Sequence, residues 1–565
     1  MKPWRIAGIL FLTALLLSAG WAWRDGRSWL DRTVRERIQE VIDRATEEGY
    51  RFHMDSVGTD ALQGDLLLLN VQLDIDSTLM DSLRNGTHRY LFTARMDRLM
   101  LRGVSYWRLL LRHEFRVERL EMDAPGLRYF VHEQRVAPQE PFARLSNGGP
   151  SFAGLLHAGT LLVRDAACTV QDISGRLPLM RIAGLDLTVH DLELKVQEAA
   201  HGLRVEAGSS ALALDSLRAE LGSGYRLRIG AVRVERNGQR GSIEQLVLTP
   251  PEVAEDTATA ITFTTLSISR LGLRGIDLDR LIGDSGLRIT TLEVQSMRVE
   301  ATLDRTRPDP PPRPVQLPAG ALLQLGLPVR IDTLRVADGA VHYHERATSG
   351  RWGDIPFTAL RATITGISNE PGPAREKAAM EGTIACTMLD SAMLTAAYRA
   401  KLDGSDDFTF EANVRELPFI TLDRLTRPLL QLQVDAGRLH ELRLTMKGDD
   451  RRARGSVGMT YDGLIVQVEP GTPAAQRHSM FGSIMDNMLR SEHGGGLADD
   501  RQRTVTIERD TDRSVLTYIW HFTRAGLMRN LTPAAIERVE QVMRREKQQR
   551  KADRALREQQ RTTRR

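Results

Sequence analysis

Few residues in this chain have types and spacing that could do chemistry. His342 and His344 stand two apart in an alternating run, so both leave the same face of a strand, with Glu345 beside them. Two imidazoles at that spacing supply part of a transition-metal site. No third ligand stands at a useful sequence spacing, so the pair reads as polar surface and no metal site is expected. Gly283-Asp284-Ser285-Gly286 puts a serine in a glycine-flanked loop. A serine nucleophile needs a base oriented by a third group. No histidine motif accompanies this one, and Leu287 opens a strand directly after it, so the loop reads as a turn. The two cysteines, Cys168 and Cys386, each sit in an apolar run and read as inert buried thiols, with a distant pairing as the alternative in an oxidising compartment. The sequence contains no C-x-x-C, H-E-x-x-H, G-x-S-x-G or phosphate-binding glycine loop. Asn85-Gly86-Thr87 fits a glycosylation sequon with nothing else to support it. We therefore expect no catalytic residue, no metal and no cofactor; the chain does not read as an enzyme.

Composition narrows the class further. Of the 565 residues 41% are hydrophobic but only 5% aromatic, so any interior must be filled by Leu, Val, Ile and Ala. The formal net charge is +4. From Thr532 onward there are eleven Lys/Arg against five Asp/Glu, so the remainder is close to neutral. The basic character belongs to a tail and not to a nucleic-acid-binding body. Arg544, Arg545, Lys547, Arg550, Lys551 and Arg554 form a basic helix end, either solubilising or drawn to an anionic surface.

Residues 6–23, IAGILFLTALLLSAGWAW, are uncharged throughout and include Ile6, Leu10, Leu15 and Leu17. That length is at the short end of a membrane span. Lys2 and Arg5 precede it, and Trp4, Trp21 and Trp23 flank it, where indoles favour the interface. A cleaved signal peptide ending near Ser18-Ala19-Gly20 is the rival reading. The apolar run continues to Trp23, which favours a retained anchor. The basic N-terminus suggests an exported body, although Arg24, Arg27, Arg32, Arg35 and Arg37 count the other way.

The elements that must position everything else are strands. A helix is expected over 28–47, where Trp29, Leu30, Val34, Ile38, Val41, Ile42 and Ala45 recur at helical spacing. It either caps the β body or lies on a membrane. From Gly64 the period becomes two. Leu67, Leu69, Val71, Leu73 and Ile75 alternate with residues that turn polar, which predicts one apolar face. Similar runs recur to Val468, with short helical pieces expected near 107–112, 279–282 and 422–430. An internal repeat at an offset of 172 pairs Leu101-Arg102-Gly103-Val104 with Leu273-Arg274-Gly275-Ile276, and Leu120-Glu121-Met122 with Leu292-Glu293-Val294. A weaker echo leads to Leu334-Arg335-Val336. Repetition without a closing signal suggests an extended sheet.

The expected architecture is mostly β: an elongated, repeat-built, open or curved antiparallel sheet forming a groove, with an N-terminal transmembrane helix and short C-terminal helices. The expected sections are an anchor (1–24), an amphipathic helix (25–50) and an N-terminal β section (51–304). A Pro-rich linker or loop follows (305–318), then a C-terminal β section (319–470). Residues 471–531 hold a helix with Met480, Phe481, Ile484, Met485, Met488 and Leu489 on one face, a Gly-rich linker, and two closing strands at 503–508 and 514–522. A basic helix completes the chain (532–565).

With those elements in place, the chain resembles the AsmA-like family of bacterial envelope proteins, the group that includes TamB-type relatives. The similar segments are GDLLLLNVQLDI (64–75), DGAVHYHERATSGRWGDIPFTALRATITGISN (338–369), AGRLHELRLTMKGDDRRARGSVGMTYDGLIVQV (436–468) and SVLTYIWHFTRAGL (514–527). The resemblance implies an inner-membrane anchor, a periplasmic β groove with an apolar inside, and lipid movement in outer-membrane biogenesis. It brings no catalytic residues. The expected partners are the membrane, a phospholipid-like ligand and envelope proteins, with no nucleic acid. Leu67, Leu69, Val71, Leu73, Ile75, Leu292, Val294, Leu334 and Val336 are the candidate groove lining. A scaffold that binds proteins through exposed sheet edges is the alternative.

Overall fold

The computed structural model describes residues 503–530 and residues 50–468, the latter apart from 61–63, 87–89, 105–114, 132–155, 174–177, 198–201, 207, 222–223, 236–238, 252–262, 278–279, 281–285, 309–312 and 371–377. The expected anchor with Ile6, Leu10, Leu15 and Leu17, the helix over 28–47, the helix around Met480–Leu489 and the basic tail from Thr532 lie outside the described residues. Among those described, no helix is long and apolar enough to cross a membrane.

Alternating apolar and polar residues dominate the sequence, and most of the described chain is strand in a large mixed sheet with few helices. Contacts divide it into two units. The first is Met1–Pro251, Arg270–Thr290 and Gly326–Pro328; the second is Glu252–Ser269, Thr291–Leu325 and Val329–Arg565. The Pro-rich stretch at 305–318 falls within the second unit.

The first unit opens with β1 (Tyr50–His53) and β2 (Ser56–Asp60), both antiparallel to β3 (Asp65–Ile75). Helix α1 (Ser77–Asn85) follows. The Asp76 carboxylate caps it by accepting from the Leu79 N–H at 3.0 Å. Gly86, left-handed at φ 75°, ends it. The Asn85-Gly86 pair is therefore a helix stop. The unit continues with β4 (Tyr90–Arg102), β5 (Phe115–Asp123), β6 (Gly126–Val131), β7 (Leu156–Asp172), β8 (Pro178–Gln197), β9 (Gly202–Glu206), β10 (Ser209–Leu214), β11 (Ser216–Glu220), β12 (Arg226–Ile229), β13 (Ala231–Val234) and β14 (Arg240–Thr249).

The expectation of a purely antiparallel sheet is corrected here. Strands β5 and β6 both run antiparallel to β4 and parallel to β7. Parallel neighbours need a long return connection, and residues 132–155 between β6 and β7 supply the length. Strands β5 and β6 are two halves of one line broken at Ala124, which is left-handed (φ 48°) and donates its N–H to the Arg164 carbonyl at 2.8 Å.

Strands β15 (Phe263–Ile276) and β16 (Leu287–Asp304) each contribute residues to both units. In the second unit, α2 (Pro318–Leu323) precedes β17 (Val329–Arg346), β18 (Trp352–Ser368), β19 (Ala379–Met388), β20 (Ala392–Lys401) and β21 (Phe408–Pro418). A 3-10 turn (Phe419–Leu422) leads into α3 (Asp423–Leu430), and β22 (Leu432–Gly448), β23 (Arg452–Val468) and β24 (Arg503–Glu508) complete the strands. Each strand from β17 to β24 is antiparallel to the next.

The closing strand expected at 514–522 is instead part of α4 (Val515–Asn530). Its β-branched and aromatic residues invite a strand reading. Tertiary packing overrides it, because Tyr518 and Phe522, one turn apart, are both buried against the sheet beside Phe408 and Val457. The Ser514 hydroxyl accepts from the Thr517 N–H at 3.3 Å and starts the helix.

The repeat at offset 172 extends to backbone conformation. Gly103 and Gly275 have φ 66° and 65°, and a Cβ on either would strike the residue fifteen positions on, Glu118 or Thr290, at 2.5 and 2.4 Å. Ala124 and Ser296, also 172 apart, are both left-handed. Each copy thus kinks at matching points, where only a left-handed residue keeps the pairing going.

Candidate functional site

Strand pairing decides which side chains share a face. In the second unit, successive registers give the row Val336, Ala362, Ile384, Ala396, Ala412, Leu444 and Val457, one residue from each of β17 to β23. Every member is apolar. The adjacent row on the opposite face runs Arg335, Thr363, Thr383, Ala397, Glu411, Thr445 and Ser456, in the same registers. Seven strands therefore present one apolar and one polar surface.

Two cores cover parts of the apolar face. Toward one end, α2 and α4 bury Leu317, Ala319, Tyr518 and Phe522 against Ala400, Phe408, Met446 and Val505. Helix α4 approaches closely because Gly526 has no side chain; a Cβ there would lie 2.2 Å from Val457 Cγ2. Toward the other end, Phe419 of the 3-10 turn packs with Leu417, Val434, Leu439 and Tyr461, and the Asp423 carboxylate, at the start of α3, accepts from the Val434 N–H at 3.1 Å. Between these cores Ile384 is 37% exposed, whereas Val336 in the same row is 8% exposed. Ala362 and Ala396, both incompletely buried, flank Ile384 with small side chains on the two neighbouring strands. The result is a shallow apolar strip, open around β18 to β20.

The first unit has its own apolar row: Val57, Leu68, Leu99, Met122, Val163, Leu187, Leu212 and Val234, again set by register. The opposite face carries charge. Arg98 reaches Asp123 at 2.6 Å, and Arg164 reaches it at 3.3 Å. Burial pushes the Asp123 carboxyl up, but these two guanidinium groups outweigh it and hold it below its ordinary range. Glu121 is 4% exposed and lies 3.6–3.7 Å from Arg102, Arg119 and Arg164.

The expected lining residues fall in different places. The single apolar face over 67–75 needs correction. Leu66 and Leu68 are the buried pair, at 1% and 3% exposure. Leu67 and Leu69 are half-buried. Asn70 is left-handed (φ 51°) and donates its side-chain amide to Asp55 at 2.6 Å. That kink resets the alternation, so Val71 packs against the Leu66 and Leu68 cluster. Leu73 is half-buried opposite Phe52, and Ile75 packs with Leu79 and Leu83 of α1. Val294 and Val336 are buried, while Leu292 and Leu334 are half-buried. Leu334 pairs with Ile364, and Val336 with Ala362. Ile384 and its alanine neighbours were missing from the expected lining. The alternation of Gly382, Ile384 and Cys386 with Thr383, Ala385 and Thr387 was the signal that could have revealed them.

The histidine pair also has a new neighbour. Glu345 points away from it, to the opposite face, where the carboxylate accepts from Arg305 Nε and from the Tyr343 hydroxyl at 2.7 Å. Burial, and then the charge of Glu345, raises the Tyr343 phenol above its ordinary range. Glu300 of β16 takes the place beside the rings, with Oε2 3.1 Å from His344 Nε2 and Oε1 3.7 Å from His342 Nδ1. Cys168 and Cys386 are both free thiols, and burial pushes both up. No protein-family model matches the sequence, and no curated protein matches it either.

Proposed function

We propose that this chain is a non-catalytic, AsmA-like protein of the bacterial envelope that handles acyl-chain lipid on the apolar face of its strands. In this reading residues 6–23 anchor it in the inner membrane, the β body is periplasmic, and the strands form an elongated, curved groove serving outer-membrane biogenesis. The observation that carries the reading is the row from Val336 to Val457, apolar at all seven strands and open at Ile384. An acyl chain laid against the open part of that row, at Ala362, Ile384 and Ala396, gains roughly 0.8 kcal/mol per methylene removed from water. Alanines at 362 and 396 leave the room that larger side chains would fill.

The test is mass spectrometry of lipids that co-purify with the detergent-extracted full chain. Acyl lipid is expected with the wild type and at lower occupancy with Ile384→Asp. Wild-type protein free of lipid at every stage of purification overturns the proposal and leaves the scaffold reading. The topology has its own check. A phosphatase fused to the C-terminus is expected to be active, and the mature protein to keep its Met-Lys-Pro start. An inactive phosphatase reverses the orientation.

A further inference from the structure

We propose that Glu300, His342 and His344 form a binding site for a borderline divalent transition-metal ion of the zinc and copper class. One ligand atom from each residue lies within 4.8 Å of the other two. Zinc bonds of about 2.0–2.2 Å to nitrogen and carboxylate oxygen, in tetrahedral geometry, hold ligand atoms roughly 3.3–3.6 Å apart. The carboxylate already stands 3.1 Å from one ring and 3.7 Å from the other.

The backbone makes this arrangement stiff. His342 and His344 are alternate residues of β17, so strand geometry fixes both on one face. Each takes a different oxygen of the same carboxylate, and the rings meet edge to face with centroids 6.2 Å apart. The flanking Tyr343 and Glu345 are engaged on the other face and do not compete. The imidazole–carboxylate set suits Zn²⁺ and Cu²⁺ and disfavours Ca²⁺ or Mg²⁺, which take all-oxygen shells. All three side chains are 38–47% exposed, so the ion reaches them from solvent and keeps water in its remaining positions. Bound metal ties β16 to β17.

The experiment uses the purified full chain, stripped with a chelator and titrated with Co²⁺ by visible absorbance and with Zn²⁺ by competition against a chromogenic chelator. One equivalent is expected to bind. His342→Ala, His344→Ala and Glu300→Gln should each weaken it at least tenfold with an unchanged circular dichroism spectrum. His440→Ala, which removes a surface histidine paired with Asp462 at 2.7 Å, should bind as the wild type does. Electron paramagnetic resonance of one equivalent of Cu²⁺ on wild-type protein should show splitting from two nitrogens, a readout that needs no variant. No saturable binding, a Cu²⁺ spectrum without nitrogen splitting, or full affinity in the His342→Ala/His344→Ala double variant each overturns the site and leaves a plain surface ion pair.

Discussion

The same substitution at two positions of one apolar row should have opposite consequences. Val336 and Ile384 share the row from β17 to β23, but their exposures are 8% and 37%. Val336→Asp puts a carboxylate where water does not reach, which costs several kcal/mol when no partner compensates. A loss of that size is a large part of the roughly 5–15 kcal/mol that holds a typical domain together. Ile384→Asp removes a side chain about two-thirds buried. Full burial of an isoleucine contributes about 1.5–3 kcal/mol, so the apolar loss is about 1–2 kcal/mol, and the new carboxylate stays hydrated. Urea unfolding followed by circular dichroism checks this in the full chain. Ile384→Asp should accumulate normally and unfold at a slightly lower urea concentration; Val336→Asp should fail to accumulate or lose most of its cooperative transition. Equal collapse of both variants would refute the reasoning, because it would mean that the Ile384 region is a sealed core and not an open strip.

Three further outcomes are expected. Gly526→Ala should destabilise the second unit by about 1–3 kcal/mol, since its Cβ would meet Val457 Cγ2 at 2.2 Å and Val457 Cβ at 2.3 Å; in a double-mutant cycle with Val457→Gly, which removes both atoms, the alanine should cost less than it does beside Val457, and strict additivity would argue against the contact. Glu441 is held below its ordinary range: burial pushes it up, but Asn413, Arg443 and Arg415 outweigh that. A carboxyl lowered on folding adds stability above its unfolded pKa and loses it as pH falls through the folded value, so Glu441→Gln should lower the urea midpoint at pH 7 and have little effect near pH 2. Cys168 and Cys386 should resist alkylation in the native protein and react readily in urea, because burial raises both thiols.

Much of this fold is legible along the chain because strand alternation is local: period two at 64–75, 329–343 and 437–447 announces strands that the structure contains. The repeat is legible for the same reason, since Gly103 and Gly275 mark positions where only a left-handed residue keeps the backbone going. Alternation alone does not say where it resets. Asn70 sits inside an apolar run, and its positive φ, which moves Val71 in with Leu66 and Leu68, occurs opposite the break between β1 and β2, where its side-chain amide donates to Asp55. Residues 515–522 carry strand-type side chains, and their helical state depends on the surface that receives Tyr518 and Phe522. The His342 and His344 pair is plain from spacing, yet Glu300 stands 42 residues before the first of them, and only the pairing of distant strands brings its carboxylate between the rings. The open strip is of the same kind. The order of residues along each strand determines that Ile384 is on an apolar face, but which part of that face α2, α3 and α4 cover depends on tertiary packing, because burial is a relation between segments far apart in the chain.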